Sequence, residues 1–526
     1  MHLQSNSLSC RGFLGRLNKK GDTFLAIASG ILLTVSFPKL NMGLFAWISL
    51  VPLFFAIKDK RPFESFWLGI ICGLTHFGGI LYWIPSTIIT YGNLPAIIGY
   101  PVYIVLVFYL SLFVAGFTFF LAILKKRIGL SLVTGAPFLW VSFEYLRSLL
   151  FSGFPWEILG YSQFLHPLII QIADITGVFG ISFLIVLVNS AISTLLFFNE
   201  KKSINSLIKE TLVTLIILLA TIGYGYWKLK ESNLSSGKER MIRVGVVQGN
   251  IDQKLKWDPL FQKETMDIYR QLSFEAARER LDIIVWPEAA VPFYFQSHEK
   301  YRLDILNISK QTKSHLLFGS PARDYREGRA DYFNSAYLIG PRGKIRGRYD
   351  KVHLVPFGEY VPLKNLFIFA DKMVESIGDF SPGDSIRPLE ASFGKIGVLI
   401  CFEGIFPDIS RGLVKRGADC LINITNDAWF GKSSAPYQHL SMAAFRAVEN
   451  RVFIVRSANT GVSAFINTAG KIVAKTDIFS QEVITGRIAL TKKRMTFYTV
   501  YGDIFAYLCA GILLILILTM KFQGRQ

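Results

Sequence analysis

The sequence predicts a polytopic α-helical membrane domain of about eight spans, joined to one α/β domain that stands outside the bilayer. Three observations carry this. Hydrophobic residues make up 51% of the chain and aromatic residues 14%, with a mean hydropathy of +0.38, above what a soluble enzyme carries. The apolar residues are gathered into blocks long enough to cross a hydrocarbon core of ~30 Å. At Lys228 the texture changes to short β-branched runs alternating with charged helical stretches.

The apolar blocks are residues 24–37, 42–57, 65–85, 96–124, 131–150, 168–198, 207–227 and 504–520. The first two are short enough to be buried or re-entrant segments instead. Basic residues are retained on the cytoplasmic side of a membrane. With Arg11, Arg16, Lys19 and Lys20 inside, eight spans also place Lys58, Lys60, Arg61, Lys125, Lys126, Arg127, Lys201, Lys202 and the tail with Lys521 and Arg525 inside. The loops around Asn41, Asn93 and Gln163 fall outside and carry few basic residues. Residues 228–497 then form a domain on the outer, periplasm-like side. The domains expected are 1–227 with seven spans, 228–497, and 498–526 with the last span and a cytoplasmic tail. No small-residue cleavage pattern follows Phe37, so the first block reads as an anchor and not as a signal peptide.

A net charge of +19 raises the question of nucleic acid. About 8 of the 19 lie outside residues 228–497, concentrated in short loops that topology explains, and the remaining 11 are spread along that segment without a basic run. The partner it implies is an anionic membrane surface, not nucleic acid. Five cysteines (Cys10, Cys72, Cys401, Cys420, Cys509) are too dispersed for a zinc site or a disulfide framework. The histidines lack ligand spacing and no phosphate-binding glycine loop is present, so no metal and no nucleotide cofactor are expected.

Within the outer domain, strands are predicted at 242–247, 283–286, 316–319, 335–339, 396–400, 421–425 and 453–455, and helices at 262–278, 408–416 and 437–451. Polar residues mark the strand ends, where α/β sites gather: Glu288 after Trp286-Pro287, Cys401 after Ile400, Asn426 and Asp427 after Thr425. Three segments hold reactive groups in apolar or glycine- and proline-rich settings: Val285 to Glu288, Tyr349 to Lys351 with Phe357 to Glu359, and Leu399 to Glu403. A carboxylate, an amine and a thiol together make an acyl-transfer engine. Taken singly, each has a duller reading: a cysteine after a buried strand is usually a core residue, and a lone glutamate or lysine is usually solvated.

These three segments, in this order, resemble the Glu/Lys/Cys triad of the nitrilase superfamily, which implies an α-β-β-α sandwich. With seven spans before it and one after, the chain resembles the apolipoprotein N-acyltransferase family. Supporting segments are Gly153 to Trp156, Gly160 to Gln163, Gln248 to Ile251, Trp257, Val355 to Tyr360 and Asn426 to Gly431. One departure is Phe402, where the family commonly has tyrosine; aromatic packing survives but a hydroxyl is lost. The resemblance implies a ping-pong reaction at the bacterial inner membrane by a monomer. A phospholipid donates an acyl group to Cys401, and the N-terminal amine of an S-diacylglyceryl-cysteine lipoprotein accepts it. Glu288 is implied as general base, Lys351 as oxyanion partner, and Glu359 as a second carboxylate that positions Lys351 or shuttles protons. Phe402, Glu403, Trp257, Asn426 and Trp429 are expected to support the site. The competing class is a membrane-tethered amidase or nitrilase, which shares the triad but has no use for the spans.

Two further expectations follow from the membrane setting. The apolar loops 292–295 and 366–369 are read as lids that admit acyl chains and exclude water, with packing inside the sandwich as the alternative. Glu144, Arg147 and Asp174 are costly in lipid and are expected to face protein or a polar cavity near the outer surface, Glu144 and Arg147 pairing across one helical turn in a structural role, with a substrate role as the alternative. Cys401 and Cys420, at opposite ends of adjacent strands, are expected to stay unpaired.

Overall fold

A computed structural model describes residues 19–92, 94–197, 203–235, 239–326, 329–360, 380–491 and 495–523. Apolar helices fill the first part of the chain and return at its end as Ile504–Gln523. Three are long and apolar enough to cross a membrane: Ala96–Ile128, Val178–Leu196 and Ile204–Glu231. A fourth candidate is the pair Pro62–Ile80 and Ile84–Thr90, bent by 52°. Lys19–Val35 and Leu132–Arg147 are helical but shorter, at 17 and 16 residues. The block 42–57 resolves into a 3-10 turn, Gly43–Trp47, and a short helix, Val51–Ala56. The block 168–198 is broken at Gly177 (φ +62°), so that only Val178–Leu196 is long.

Local sequence accounts for these helices. Ala96–Ile128 stops at Gly129 in the left-handed conformation, with Lys125, Lys126 and Arg127 in the last turn where they complement the helix dipole. Helix Pro62–Ile80 lies tight against Ala96–Ile128 because Gly69 and Gly73 leave room. A Cβ on either would come within 2.7 Å of the backbone of Ala115 or Ser111. This is the small-xxx-small contact that lets membrane helices approach closely. The apolar side chains Ile208, Leu212, Ile216 and Leu219 of Ile204–Ser235 are exposed, as a lipid-facing helix requires.

The α/β domain contains two six-stranded sheets. Its strands are β1 (Arg240–Gln248), β2 (Ile283–Val285), β3 (His315–Arg326), β4 (Arg329–Ile339), β5 (Ile345–Asp350), β6 (Leu389–Ala391), β7 (Gly394–Ile400), β8 (Cys420–Thr425), β9 (Ile454–Ala458), β10 (Ala464–Ile466), β11 (Ile472–Lys475) and β12 (Glu482–Leu490). The orders are β12-β1-β2-β3-β4-β5 and β11-β10-β9-β8-β7-β6, with parallel pairing at the centre of each (β1-β2-β3 and β7-β8-β9). Inner faces meet in one core that includes Val244, Val285 and Leu338 from the first sheet and Val398, Ile422 and Val455 from the second. Helices Gln262–Ala276 and Glu299–Thr312 cover the first sheet through Met266, Tyr269, Leu272, Ile305 and Ile308. Helices Pro407–Lys415 and Ala435–Asn450 cover the second, and their core is continuous with that of the apolar helices. All seven predicted strands are present. The expected α-β-β-α sandwich is therefore the one observed, with its second helical layer seated on the membrane domain.

Candidate active site

Cys401 begins a 3-10 turn, Cys401–Ile405, where β7 ends. Its φ is +51°, a left-handed conformation rare for a residue with a side chain. Glu403, fully buried, holds the turn in place. One carboxylate oxygen accepts from Ile400 N at 2.8 Å; the other accepts from Val352 N at 2.7 Å, His353 N at 3.3 Å and the Tyr349 hydroxyl at 3.0 Å. Glu403 thus ties the Cys401 turn to the segment that carries Lys351. Burial pushes its pKa up to about 7 against these donors.

Lys351 follows β5 and is 1% exposed. Its ammonium lies 2.9 Å from Glu359 and 3.9 Å from Glu288. Asn334, on β4, donates its amide at 2.7 Å to Glu288 Oε1 and at 2.7 Å to Glu359 Oε1, so a neutral donor and a cation together offset two neighbouring carboxylates. The second oxygen of Glu288 accepts from Asn426 N at 2.9 Å. Burial opposes the charge on Lys351, yet Glu359 and then Glu288 hold its pKa above the ordinary lysine value. Burial, followed by the charge of Glu288, raises the Cys401 thiol, and Lys351 only partly offsets this. The resting group is therefore a thiol beside a carboxylate, which suits proton removal during attack rather than a standing thiolate.

The structure brings Glu288, Lys351, Cys401, Glu359, Glu403 and Asn426 together. Phe402 packs edge-on against Phe406, with centroids 5.1 Å apart. Trp429 sits where the outer domain meets the apolar helices: its ring packs edge-on to Tyr91 at 5.6 Å, and its carbonyl accepts from the Thr87 hydroxyl at 2.9 Å. Trp257 is 47% exposed, and the residue that turns inward is its neighbour Lys256. Lys256 is fully buried and donates to the Glu288 carbonyl at 3.2 Å; burial lowers its pKa to about 8 against the pull of Glu288 and Cys401.

Two expectations are corrected. The loop 292–295 is no lid: Phe293 is 7% exposed and Phe295 is fully buried, packed on Phe318 and Tyr337 in the core between the first sheet and its helices. The loop 366–369 lies outside the described residues. Glu144 and Arg147 do not form an ion pair with each other. Both brace the 154–159 loop, Glu144 accepting from Leu159 N at 2.8 Å and Arg147 donating to Trp156 O at 2.8 Å. Asp174 faces protein as expected, paired with Arg451 of the α/β domain at 2.8 Å. Cys401 and Cys420 are unpaired; Cys420 is in register with Ile396, at the far end of β7 from Cys401.

Sequence reasoning missed Lys256, Asn334 and the residues of helix Ala435–Asn450. In that helix only Tyr437 is not buried. Gln438 accepts from the indole N–H groups of Trp83 and Trp156 at 3.2 and 3.0 Å and donates to Ile80 O at 3.2 Å, all in the membrane domain. The signal was a helical pattern whose polar residues form no single stripe.

Two buried carboxylates, a buried ammonium and a thiol at the strand ends of an α-β-β-α sandwich define a nitrilase-type domain, here built onto an apolar helical bundle. Residues 243–495 match the carbon-nitrogen hydrolase family, and residues 29–191 match the apolipoprotein N-acyltransferase N-terminal domain. The chain is 46% identical to the apolipoprotein N-acyltransferase of Geobacter metallireducens over 93% of both proteins, and 31% identical to that of Pasteurella multocida over 97% of both. A carbon-nitrogen hydrolase structure from Helicobacter pylori aligns with 48% of this chain and 90% of its own, at 19% identity and a TM-score of 0.37. This chain belongs to the apolipoprotein N-acyltransferase family.

Proposed function

We infer that the protein transfers a fatty acyl chain from a membrane phospholipid to the N-terminal amine of S-diacylglyceryl-cysteine in lipoproteins, through a thioester on Cys401. The observation that carries this is the cluster of Glu288, Lys351 and Glu359 at Cys401, in a domain whose second helical layer rests on apolar helices. Glu288 takes the thiol proton as sulfur attacks the ester carbonyl. The tetrahedral oxyanion is stabilised by Lys351, which Glu359 holds in place. Collapse breaks the ester C–O bond, and the proton on Glu288 passes to the departing lysophospholipid oxygen. The acceptor amine then attacks the thioester, Glu288 takes its proton, and the amide forms as the thiol is restored. An amide is a poor substrate for reversal, which gives the sequence its direction.

The chain is read as a monomer of the bacterial inner membrane with eight crossings. Residues 1–227 supply seven, 228–497 form the periplasmic catalytic domain, and 498–526 supply the eighth. A reporter fused after Lys228 then reads outside and one at Lys126 inside.

The test uses the full-length protein in detergent. Incubation with phospholipid yields one acyl adduct on Cys401 and an equal amount of lysophospholipid, and a diacylglyceryl-cysteine peptide then clears the adduct. Acylated peptide formed without an adduct rejects the thioester route. Free fatty acid or ammonia as the sole product favours a hydrolase.

A further inference from the structure

A buried chain of polar groups stands behind the nucleophile and takes no part in the chemistry above. His439, 1% exposed, has its Nε2 3.1 Å from the Cys401 carbonyl oxygen. Its Nδ1 lies 3.0 Å from Arg456 Nη2 and 3.3 Å from Asp427 Oδ1. The Asp427 carboxylate is already engaged, by Arg456 Nη2 at 2.7 Å and by the Thr425 hydroxyl at 2.9 Å. A guanidinium only donates, so its contact with Nδ1 requires a lone pair there. The carbonyl opposite Nε2 requires a proton there. These two shorter contacts select the same neutral tautomer and leave the longer approach of Asp427 Oδ1 without a proton between the atoms; burial followed by the charge of Arg456 keeps the ring below the ordinary histidine pKa.

The carbonyl so held belongs to the residue with the strained backbone. Cys401 has a φ of +51°, a conformation that persists in a residue with a side chain only when its surroundings fix it. A second donor, Asn423 Nδ2, lies 3.4 Å from the same oxygen, and the Asn423 side-chain oxygen accepts from Arg456 Nη1. One buried arginine therefore orients both donors to the Cys401 carbonyl. The amide plane is rigid, so fixing this carbonyl also fixes the opposed Phe402 N–H and the direction in which the Cys401 side chain leaves the turn.

We propose that His439 is a positioning residue for the acyl transfer: held by Arg456 as its Nε2–H tautomer, it pins the Cys401–Phe402 peptide and keeps Sγ in the attacking orientation. The acyl-transfer part rests on the reading under Proposed function; the tautomer and the thiol geometry do not.

The test compares His439→Phe with His439→Gln in the full-length protein. Phenylalanine keeps a ring against Trp156, whose centroid is 6.0 Å from that of His439, but has no donor. Glutamine offers an amide N–H near the Nε2 position. His439→Phe lowers kcat for Cys401 acylation by phospholipid about 10²-fold with KM unchanged, the scale expected for misplacing a reacting atom. His439→Gln recovers to within about tenfold of the native rate. The rate of Cys401 alkylation by iodoacetamide follows the same order. In native protein carrying nitrogen-15 histidine, the ring signals lost in His439→Gln are of pyridine type at Nδ1 and pyrrole type at Nε2. A native rate in His439→Phe, a glutamine variant no better than phenylalanine, or a proton on Nδ1 overturns the proposal. If native protein is never acylated by phospholipid, the acyl-transfer reading falls, and the ring signals and alkylation rates still decide the role of His439.

Discussion

Two arginines, one on each side of the sandwich, make the same local contact with different surroundings. Arg270 pairs with Asp267 at 3.1 Å on the helix covering the first sheet, and the two side chains are 40% and 50% exposed. Arg446 pairs with Glu449 at 2.8 Å on a helix covering the second, and both are 0% exposed. Each pair spans one helical turn. Helix Gln262–Ala276 buries a single stripe, Thr265, Met266, Tyr269, Leu272, Ser273 and Ala276, and turns its other side to water. Helix Ala435–Asn450 has no watered side, because the membrane domain covers what the sheet leaves free; Arg446 also donates to the Tyr161 hydroxyl at 2.8 Å. The first pair decorates a surface, and the second is part of the joint between two domains.

The division extends to the chemistry, and its largest test lies there. Glu288 and Lys351 come from the sheet with the free helices, Cys401 from the sheet seated on the membrane domain. Cys401→Ala abolishes the acyl-enzyme. Glu288→Gln slows acylation by roughly 10³-fold through loss of the base, and Lys351→Ala by roughly 10²- to 10³-fold through loss of the oxyanion contact. Adduct formation followed by mass spectrometry measures each. Full activity in any one of them breaks the assignment of parts to the two layers.

Next in size is the buried pair. Arg446→Ala leaves Glu449 without its cation in a site that water does not reach, and costs roughly 3–5 kcal/mol in denaturant unfolding of the full-length protein. Replacing both together, Arg446→Met with Glu449→Leu, costs less than the single change, the remainder coming from the Tyr161 hydroxyl and the Ile405 carbonyl, which lose their donor. A double replacement as damaging as the single one would show that the pair does more than satisfy itself.

The same contrast explains what the sequence could reveal. Central strands buried on both faces, such as β7 and β8, announce themselves as β-branched runs, and the reactive residues follow directly from their ends. Edge strands such as β6 and β11 are short and carry no such run. Lys256 was hidden because a lysine between Leu255 and Trp257 reads as solvated until the strand ends close over it, and His439 because a histidine on a polar helix reads as solvated until a second domain is placed against it. The 292–295 loop misled for the converse reason: an apolar loop beside a reactive segment looks like a membrane contact, and only the register of helix and sheet shows it to be core. Helix continuity was overestimated at 168–198 because hydropathy does not register the backbone break at Gly177.

Glu403, which joins the two layers, predicts a pH dependence. Its carboxyl is raised from 4.5 to about 7 in the folded protein, burial being the cause. Between those values the folded state keeps a proton that the unfolded chain has released. Stability therefore falls as pH rises through that window and is level above it, by at most about 3 kcal/mol. Glu403→Gln lacks this slope, so the difference in unfolding free energy between the two proteins changes from pH 4.5 to 7 and is flat beyond. A smaller effect belongs to Cys420, in the core between the sheets, whose thiol burial pushes up to about 12. Cys420→Ala costs roughly 1 kcal/mol and leaves acylation intact. Alkylation of native protein labels Cys401 and not Cys420; a Cys401–Cys420 disulfide peptide from active enzyme would contradict the register of β7 and β8.

The smallest expected effect is at Arg270, and it completes the comparison. Its guanidinium reaches Asp267 at 3.1 Å and Asp304 at 3.3 Å, on two neighbouring helices, so on contact geometry alone it bridges two carboxylates. All three groups keep water. Each gains little Coulomb energy at high dielectric, and ordering a long side chain offsets part of it. Arg270→Ala should therefore change the unfolding free energy by less than about 0.5 kcal/mol, and 1 M salt should remove most of that difference because screening then acts within ~3 Å. The loss at Arg446 should be unmoved by the same salt, since ions do not enter the seam. If instead Arg270→Ala costs as much as Arg446→Ala, or both respond alike to salt, burial against the membrane domain is not what separates the two pairs.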